Sequence, residues 1–439
     1  MKKFVIAALA IGLLLVGLMY ATRRRPSELP VGEEGQQVFR VESSGRGTLI
    51  RHDDPRTPLR SLRWLPPLQQ GVLVVQVATQ NDRQQVSLFK DAAFQASYLV
   101  PKPQGVRDGF FRLAELRQAL VVDGDAAVLL YLVPGSEELP LVIALDLQTK
   151  MIRWTHRAKG ERLALAEDAV YLFGAKTPPV RLPLALSDGE KTSAAGARSS
   201  AKVVELPPEI PEVADLRPTG SWSFLVVHKG GLSAYLGSKG WLHHPVPEGE
   251  SSLFKDIGPA LGSDGKRFWW QPSPGHVIQV LADGTPKSTW SPAALPTAPP
   301  FARDASLLHL LGADSGGKLW FDLSIPTQPL QPAAPPEPEP KSEEPAGTPP
   351  SPATEPVDWP AYVSQGLDRL YCWDPQKRLL QRFGWSRLEI PQGMPRPGHG
   401  TRFLPEAGAL LLENGASAWL LPLSALAVGE STNTLKPDN

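Results

Sequence analysis

The chain has 439 residues, 42% of them apolar, and carries 45 basic and 45 acidic residues. This length suffices for several domains or for one large repeat fold, and the zero net charge disfavours a nucleic-acid-binding protein, which would carry a basic face. The 47 prolines disfavour long helices over most of the chain. The single Cys372 excludes an internal disulfide and any cysteine-rich metal site.

The N-terminal residues 1–25 predict a membrane anchor. An uncharged run of 18 residues from Phe4 to Ala21 would form a helix about 27 Å long, just enough to cross the core of a bilayer. The alternative is a cleaved signal peptide, which needs small residues before its cleavage site. The best candidate site places Met19 where a small residue is needed. We therefore favour a retained helix that holds the protein in the membrane through residues 4–21.

The charges that flank this helix decide its orientation only weakly. Lys2 and Lys3 with the amino terminus nearly balance the three arginines that follow the helix at 23–25. A short N-terminal tail is most simply left in the cytoplasm. We therefore expect residues 26–37 to be a spacer and the bulk of the chain to be extracytoplasmic, in the periplasm.

From about Val38 onward, short apolar runs alternate with turn residues, which predicts an all-β fold. The clearest hairpin is 409–423, where Asn414-Gly415 lies between two apolar runs and suits a type I′ turn. Further hairpins are predicted at 224–236, 268–280 and 371–383. The segment 110–120 could instead form a short helix between two repeats.

These hairpins recur about every 40–55 residues, a period typical of β-propellers, in which small sheets stack around an axis. The sequence therefore predicts a single propeller over residues 38–426, with seven or eight blades at about 45 residues each. The last hairpin should pair with the first strand to close the ring. Residues 427–439 are expected to be a flexible tail.

A foreign segment interrupts this pattern. Residues 325–356 contain 12 prolines and five glutamates and almost no large apolar residue. Such a composition cannot bury enough apolar surface to fold. We expect this insert to be disordered and extended.

Residues 141–174 resemble one repeat of the quinoprotein-type (PQQ-like) β-propellers. In that repeat an apolar strand ends in Ala-Leu-Asp, as at 144–146, and a Trp closes the following strand, as Trp154 does. A Val-Tyr strand then opens the next blade, as at Val170-Tyr171, whereas Lys150 replaces the usual glycine of the turn. The resemblance covers about one repeat and implies the propeller fold.

The enzymes of that superfamily use a quinone cofactor, a calcium site and often adjacent cysteines. A chain with one cysteine cannot supply the cysteine pair, and no calcium-ligand set of the family maps onto this sequence. We therefore expect no cofactor, no metal site and no catalytic residues. Other members of the superfamily are envelope scaffolds, which this chain resembles in outline.

Three local patterns could carry chemistry, but each has a simpler interpretation. Residues 312–319, GADSGGKL, nearly match a phosphate loop, yet they lead into a strand rather than a helix and are better explained as a turn. His243 and His244 are neighbours on a strand and should point to opposite faces, which disfavours one shared metal ion. Cys372 lies in an apolar strand and should be buried and unreactive.

The 12 tryptophans should mostly fill the wedges between blades. Trp269 and Trp270 are adjacent, so one of them should face away from the other. We therefore predict that one of this pair is an exposed protein contact.

The favoured hypothesis is a membrane-anchored, non-catalytic propeller that acts as a protein-interaction scaffold in the cell envelope, with an envelope protein as partner and no nucleic acid. The alternative is a propeller enzyme whose site at the central axis is built from residues that are far apart in sequence.

Overall fold

The computed structural model describes residues 39–52, 62–65, 72–78, 84–90, 93–122, 125–184, 201–246, 260–290, 308–323, 370–384, 389–394, 402–404 and 408–433, apart from short gaps within some of these ranges. The predicted anchor and spacer, the Pro-rich insert at 325–356 and the last six residues lie outside them. Within the described part of the chain, no helix has the length and apolar character that a membrane span requires.

The described strands form seven antiparallel sheets. The chain enters through β1 (Phe39–Ser44) and β2 (Gly47–His52), and then builds five sheets of four consecutive strands each. Sheet 1 contains β3 (Leu62–Leu65), β4 (Val72–Ala78), β5 (Gln84–Lys90) and β6 (Ala93–Val100). Sheet 2 contains β7 (Glu115–Val122), β8 (Ala126–Leu132), β9 (Leu141–Asp146) and β10 (Ile152–Arg157).

The next three sheets repeat this plan. Sheet 3 contains β11 (Arg162–Leu165), β12 (Ala169–Gly174), β13 (Thr177–Pro183) and β14 (Lys202–Val203). Sheet 4 contains β15 (Asp215–Gly220), β16 (Ser223–His228), β17 (Gly231–Leu236) and β18 (Trp241–Pro245). Sheet 5 contains β19 (Ala260–Ser263), β20 (Phe268–Ser273), β21 (His276–Val280) and β22 (Pro286–Trp290).

The last two sheets combine strands from distant parts of the chain. Sheet 6 contains β23 (Leu308–Ala313), β24 (Leu319–Leu323), β25 (Leu370–Asp374), β26 (Leu379–Gly384) and, on the outer edge of β26, the C-terminal β30 (Ala427–Asn433). Sheet 7 contains β27 (Arg402–Leu404), β28 (Ala409–Glu413) and β29 (Ser417–Pro422), followed by β2 and β1.

Sheet 7 joins the two ends of the described chain. β29 pairs with β2, with Trp419 opposite Leu49, so the last hairpin closes on the N-terminal strands as predicted, through β2 rather than β1. A side chain at Gly47 would overlap the Trp419 indole, so the close approach of β2 and β29 requires glycine there.

The prediction of a flexible tail from residue 427 was wrong over Ala427–Asn433. These residues form β30, which pairs with β26 and satisfies backbone groups that the edge of β26 would otherwise leave unpaired.

The middle strands are apolar along almost their whole length because both faces of each sheet are covered. Every residue of β12 is buried, and so are all but the last residues of β8 and β9. Seven apolar clusters fill the seven interfaces between consecutive sheets, and one of them joins sheet 7 to sheet 1 through Ile50 and Phe89. The first strands of neighbouring sheets contact one another and therefore surround the axis. The fold is a β-propeller.

The hairpins predicted from sequence are confirmed. β16–β17, β20–β21, β25–β26 and β28–β29 pair across the expected turns. The helix predicted at 110–120 is wrong over most of its length. The Ala114 N–H donates to the Phe110 carbonyl at 2.8 Å, as in a helix, but β7 already begins at Glu115. The buried apolar face that suggested a helix belongs to the interface between sheets 1 and 2.

Candidate functional site

Trp269 and Trp270 are both buried, with 5% and 1% of their surface exposed, so the prediction that one is a protein contact was wrong. They do face opposite ways: Trp269 packs between sheets 5 and 6, and Trp270 between sheets 4 and 5. β20 is a middle strand of its sheet and has no solvent face over Trp269 and Trp270, because another sheet covers each side. Alternation along β20 therefore directs both indoles into the core.

The segment 312–319 forms the predicted turn between β23 and β24. Asp314 organises it: its carboxylate accepts hydrogen bonds from the Lys318 N–H and from the Trp320 indole, both at 3.0 Å. The Gly317 N–H donates to the Asp314 carbonyl at 2.8 Å. The aspartate is used to fix the turn, and the strand that follows leaves no helix to bind phosphate.

Cys372 is 2% exposed in β25, as predicted. Burial raises the pKa of its thiol, so the thiolate that a nucleophile needs is disfavoured. The thiol packs with Trp320 and Trp419 in the cluster between sheets 6 and 7. Its role is to fill the core.

His243 and His244 point to opposite faces of β18, as predicted. His244 Nε2 lies 3.3 Å from the Asp283 carbonyl, whereas His243 Nδ1 lies 2.9 Å from Ser233 Oγ. His228 belongs to the same series of hydrogen bonds. The Gly230 N–H donates to His228 Nδ1 at 3.1 Å, so the neutral ring carries its proton on Nε2. This Nε2–H donates to Ser233 Oγ at 2.9 Å.

Burial and, to a smaller extent, the neighbouring His243 lower the pKa of His228 to about 4. The imidazole is therefore neutral near pH 7. Since Ser233 is only 1% exposed, a substrate cannot reach its hydroxyl in this arrangement. The chain of hydrogen bonds stabilises sheet 4 rather than forming a nucleophilic site.

A cavity of about 610 Å³ lies on the axis of the propeller. Residues of the first strands of sheets 2 to 6 line it, together with the turn between β12 and β13 at Gly174-Ala175. Its ionisable lining residues are Glu161, Arg162, Asp215, Arg217 and His309. The volume is within the range of small-molecule sites, which runs from about 300 to 1,000 Å³.

The polar wall of the cavity is held in place by hydrogen bonds between neighbouring sheets. The Gln118 amide donates to the Leu163 carbonyl at 2.9 Å and accepts from the Leu163 N–H at 2.6 Å. Arg162 Nη1 donates to the Ala214 carbonyl at 2.8 Å. Sheets 2, 3 and 4 are thereby tied together where their first strands begin.

The charges of this wall are balanced. Arg217 Nε lies 3.4 Å from Asp215 Oδ2 in an ion pair that is partly exposed. The only hydrogen bond found for Glu161 joins its backbone N–H to the Phe173 carbonyl at 2.8 Å, so within the described residues its carboxylate has no partner. Two guanidinium groups and two carboxylates thus share one wall.

The opposite wall is largely apolar. Leu261, Leu310 and Leu311 come from sheets 5 and 6, and Leu311 is 37% exposed. His309 lies among them, and burial lowers the pKa of its imidazole, which favours the neutral ring. Within the described part of the chain, no group of three or more His, Cys, Asp or Glu side chains is placed to hold a metal ion.

A second candidate site is an exposed tryptophan on the opposite end of the propeller. β15 begins at the cavity with Asp215 and spans roughly 20 Å over its six residues, and the turn that follows it carries Trp222. Trp222 is 37% exposed. The Arg181 guanidinium lies 4.2 Å, and Lys202 Nζ 4.9 Å, from the centre of its ring.

The surroundings of Trp222 are rigid. Arg181 is 8% exposed at its side chain, pairs with Asp168 at 2.5 Å, and donates from Nε to the Ser221 carbonyl at 3.0 Å. The Tyr171 hydroxyl donates to the same carbonyl at 3.0 Å. Burial raises the pKa of Tyr171 to about 12, so the hydroxyl keeps its proton. Trp222 is thus presented on a fixed turn.

Neither site is marked by a local motif in the sequence. The cavity residues are spread from 118 to 311, and their common feature is that most lie on the first strand of a repeat. Polar residues at that position in a sequence of predicted blades are the signal that could have found them. Trp222 lies in a turn, where an aromatic residue lacks the second sheet that buries one in a strand.

No protein family and no curated protein matches this chain. Solved structures are similar only in outline. A prolyl endopeptidase structure has a TM-score of 0.45 at 11% identity, over 93% of this chain and 60% of that one. The Dos1 propeller has a TM-score of 0.41 at 9% identity, over 83% and 96%. BamB from Moraxella catarrhalis has a TM-score of 0.30 at 11% identity, over 65% and 94%.

Proposed function

We propose that the chain is a non-catalytic β-propeller that acts as a protein-interaction scaffold in the cell envelope. In this proposal the seven sheets are the blades of one closed ring of the PQQ-like type. Residues 4–21 anchor the ring in the membrane and leave it on the periplasmic side, where it binds an envelope protein.

The observation that carries the proposal is the exposed, rigidly held Trp222. Tryptophan and arginine dominate the energetics of protein interfaces, and a contact that is already ordered loses little conformational entropy on binding. Lys202 Nζ lies 4.9 Å from the centre of the Trp222 ring and makes no ion pair within the described part of the chain, so it offers a cationic contact beside the indole. This surface, formed by Trp222 and Lys202, is the proposed docking surface.

The test is site-specific photo-crosslinking in intact cells that express the full chain. A photoreactive residue at position 202, in place of the lysine beside the indole, should give one covalent adduct of defined mass. Trp222→Ala should reduce its yield at least about tenfold, since a central Trp contributes about 2 kcal/mol or more. Leu281→Ala is the matched control, because Leu281 is 47% exposed on another sheet. Adducts that persist in Trp222→Ala would overturn the docking surface.

The anchor is tested separately. The mature protein should begin at Met1 and remain with the membrane fraction after a high-salt wash, whereas a chain lacking residues 4–21 should be released. An N-terminus that begins after Ala21, together with release by salt, would contradict the anchor and leave the docking surface untouched.

A further inference from the structure

The axial cavity has a composition that selects a particular ligand chemistry. Arg162 and Arg217 contribute two positive charges to its wall, and Glu161 and Asp215 contribute two negative charges. Burial lowers the pKa of the His309 imidazole, which favours its neutral form. The ionisable groups therefore sum to zero while both signs are present.

Several of these groups keep unused hydrogen-bonding capacity. A guanidinium has five N–H donors. Arg162 uses one of its nitrogens on the Ala214 carbonyl, and Arg217 faces Asp215 through Nε, so donors remain on both. The Glu161 carboxylate accepts no hydrogen bond from the described residues. Donors for an anion and an acceptor for a cation thus line the same side.

The other side of the cavity is formed by Leu261, Leu310 and Leu311. A purely anionic ligand would meet two carboxylates, and a purely apolar one would leave the charged wall without partners, which costs binding energy. A ligand that carries one anionic group, one cationic group and an apolar body would satisfy both walls.

We propose that this cavity binds a short zwitterionic peptide with apolar side chains. Its terminal carboxylate pairs with Arg162 and Arg217, its terminal ammonium pairs with Glu161, and its apolar side chains pack on the exposed Leu311, with the buried Leu261 and Leu310 behind it. The site lies at the opposite end of the ring from Trp222 and does not depend on the docking surface.

The dipeptide Leu-Leu is the probe, titrated calorimetrically into the purified full chain. Acetyl-Leu-Leu lacks the ammonium and Leu-Leu-amide lacks the carboxylate, and each should bind at least tenfold more weakly than Leu-Leu. Such a loss corresponds to about 1.4 kcal/mol for one charge-assisted contact.

Variants of the cavity residues test the predicted contacts with the ammonium and the carboxylate of the dipeptide separately. Glu161→Gln should weaken Leu-Leu at least tenfold and abolish the preference for Leu-Leu over acetyl-Leu-Leu. Arg162→Gln should reduce the preference over Leu-Leu-amide, because Arg217 remains to pair with the carboxylate. Glu209→Gln, which removes an exposed carboxylate outside the cavity, is the control and should change neither. Thermal unfolding of each variant verifies that the fold is intact.

Three results would overturn the proposal: no measurable binding of Leu-Leu, equal binding of the capped peptides, or equal behaviour of Glu161→Gln and Glu209→Gln. None of these results bears on crosslinking at position 202, so the two proposals fail or stand independently.

Discussion

Two residues with side chains occupy backbone conformations that suit glycine. Lys150 has φ 59° and Arg378 has φ 53°, each at the end of a turn that an aspartate begins. Asp146 Oδ1 accepts hydrogen bonds from the backbone N–H groups of Gln148 and Thr149, and Asp374 Oδ1 does the same two and three residues onward. The resemblance to the PQQ-like repeat predicts glycine at the position of Lys150, and the geometry explains why.

Lys150→Gly should therefore raise the free energy of unfolding by about 1 kcal/mol. The left-handed conformation costs a residue with a Cβ about 1–2 kcal/mol, which exceeds the greater entropy that glycine has in the unfolded chain. Guanidinium denaturation followed by tryptophan fluorescence measures the change. Lys159→Gly is the matched control: Lys159 is exposed but is not among the residues with positive φ, so this change should slightly destabilise. A Lys150→Gly variant no more stable than the parent would contradict this.

For single side chains, the properties that depend only on neighbours along the chain were predictable from the sequence. The turn at 312–319 and the burial of Cys372 both follow from neighbours along the chain. The exposure of Trp269 or Trp270 was not predictable in this way, because it depends on whether a second sheet covers the far face of β20, and that sheet is separated from it by other strands.

At the scale of elements, glutamine side chains join neighbouring sheets. The Gln271 amide in β20 donates to the Leu308 carbonyl and accepts from the Leu310 N–H of β23, both at 2.8 Å. Gln118 makes the same pair of contacts from sheet 2 to Leu163 in sheet 3. In each case a side-chain amide replaces the backbone pairing that two separate sheets cannot make.

Gln271→Leu should lower the free energy of unfolding by about 1–3 kcal/mol. Gln271 is 1% exposed, so its loss leaves the Leu310 N–H without the acceptor that Gln271 provides, at about 1–3 kcal/mol, whereas the Leu308 carbonyl still accepts from the Gly275 N–H. Gln376→Leu, at an exposed turn position, is the control and should change stability by less than about 0.5 kcal/mol. Chemical denaturation provides the measurement. Equal effects of the two changes would show that the Gln271 side chain does not stabilise the contact between sheets 5 and 6.

The hairpins were predictable because their two strands and their turn are contiguous in sequence. The contacts between sheets were not, because Gln271 and Leu308 are 37 residues apart and no local pattern marks them as partners. β30 is a further case: its pairing with β26 depends on the chain returning after it has completed sheet 7.

At the scale of the whole molecule, the repeat period indicated a propeller because a blade that exposes two apolar faces is stable only when neighbours cover both. The axial cavity follows from the same geometry, but its ionisable residues come from three different sheets and carry no linear signature. Period and composition therefore predicted the architecture and not the site.

The Pro-rich insert offers a test of the closed ring. β24 ends at Leu323 and β25 begins at Leu370, yet the two strands are antiparallel neighbours in sheet 6, with Trp320 opposite Cys372. Residues on either side of the insert thus contribute to one sheet. Sheet 7 is a second sheet that contains strands from both sides of the insert, because β29 pairs with β2.

A protease site placed between residues 325 and 356 should therefore be cut without separating the fragments. The C-terminal fragment stays bound because it supplies β25, β26 and β30 to sheet 6 and β27–β29 to sheet 7, so its release would expose the apolar clusters on both sides of sheet 7. After cleavage the fragments should co-elute in size-exclusion chromatography and separate only in denaturant. The uncut chain is the control for elution volume. Fragments that elute apart in native buffer would show that the two parts do not share a ring.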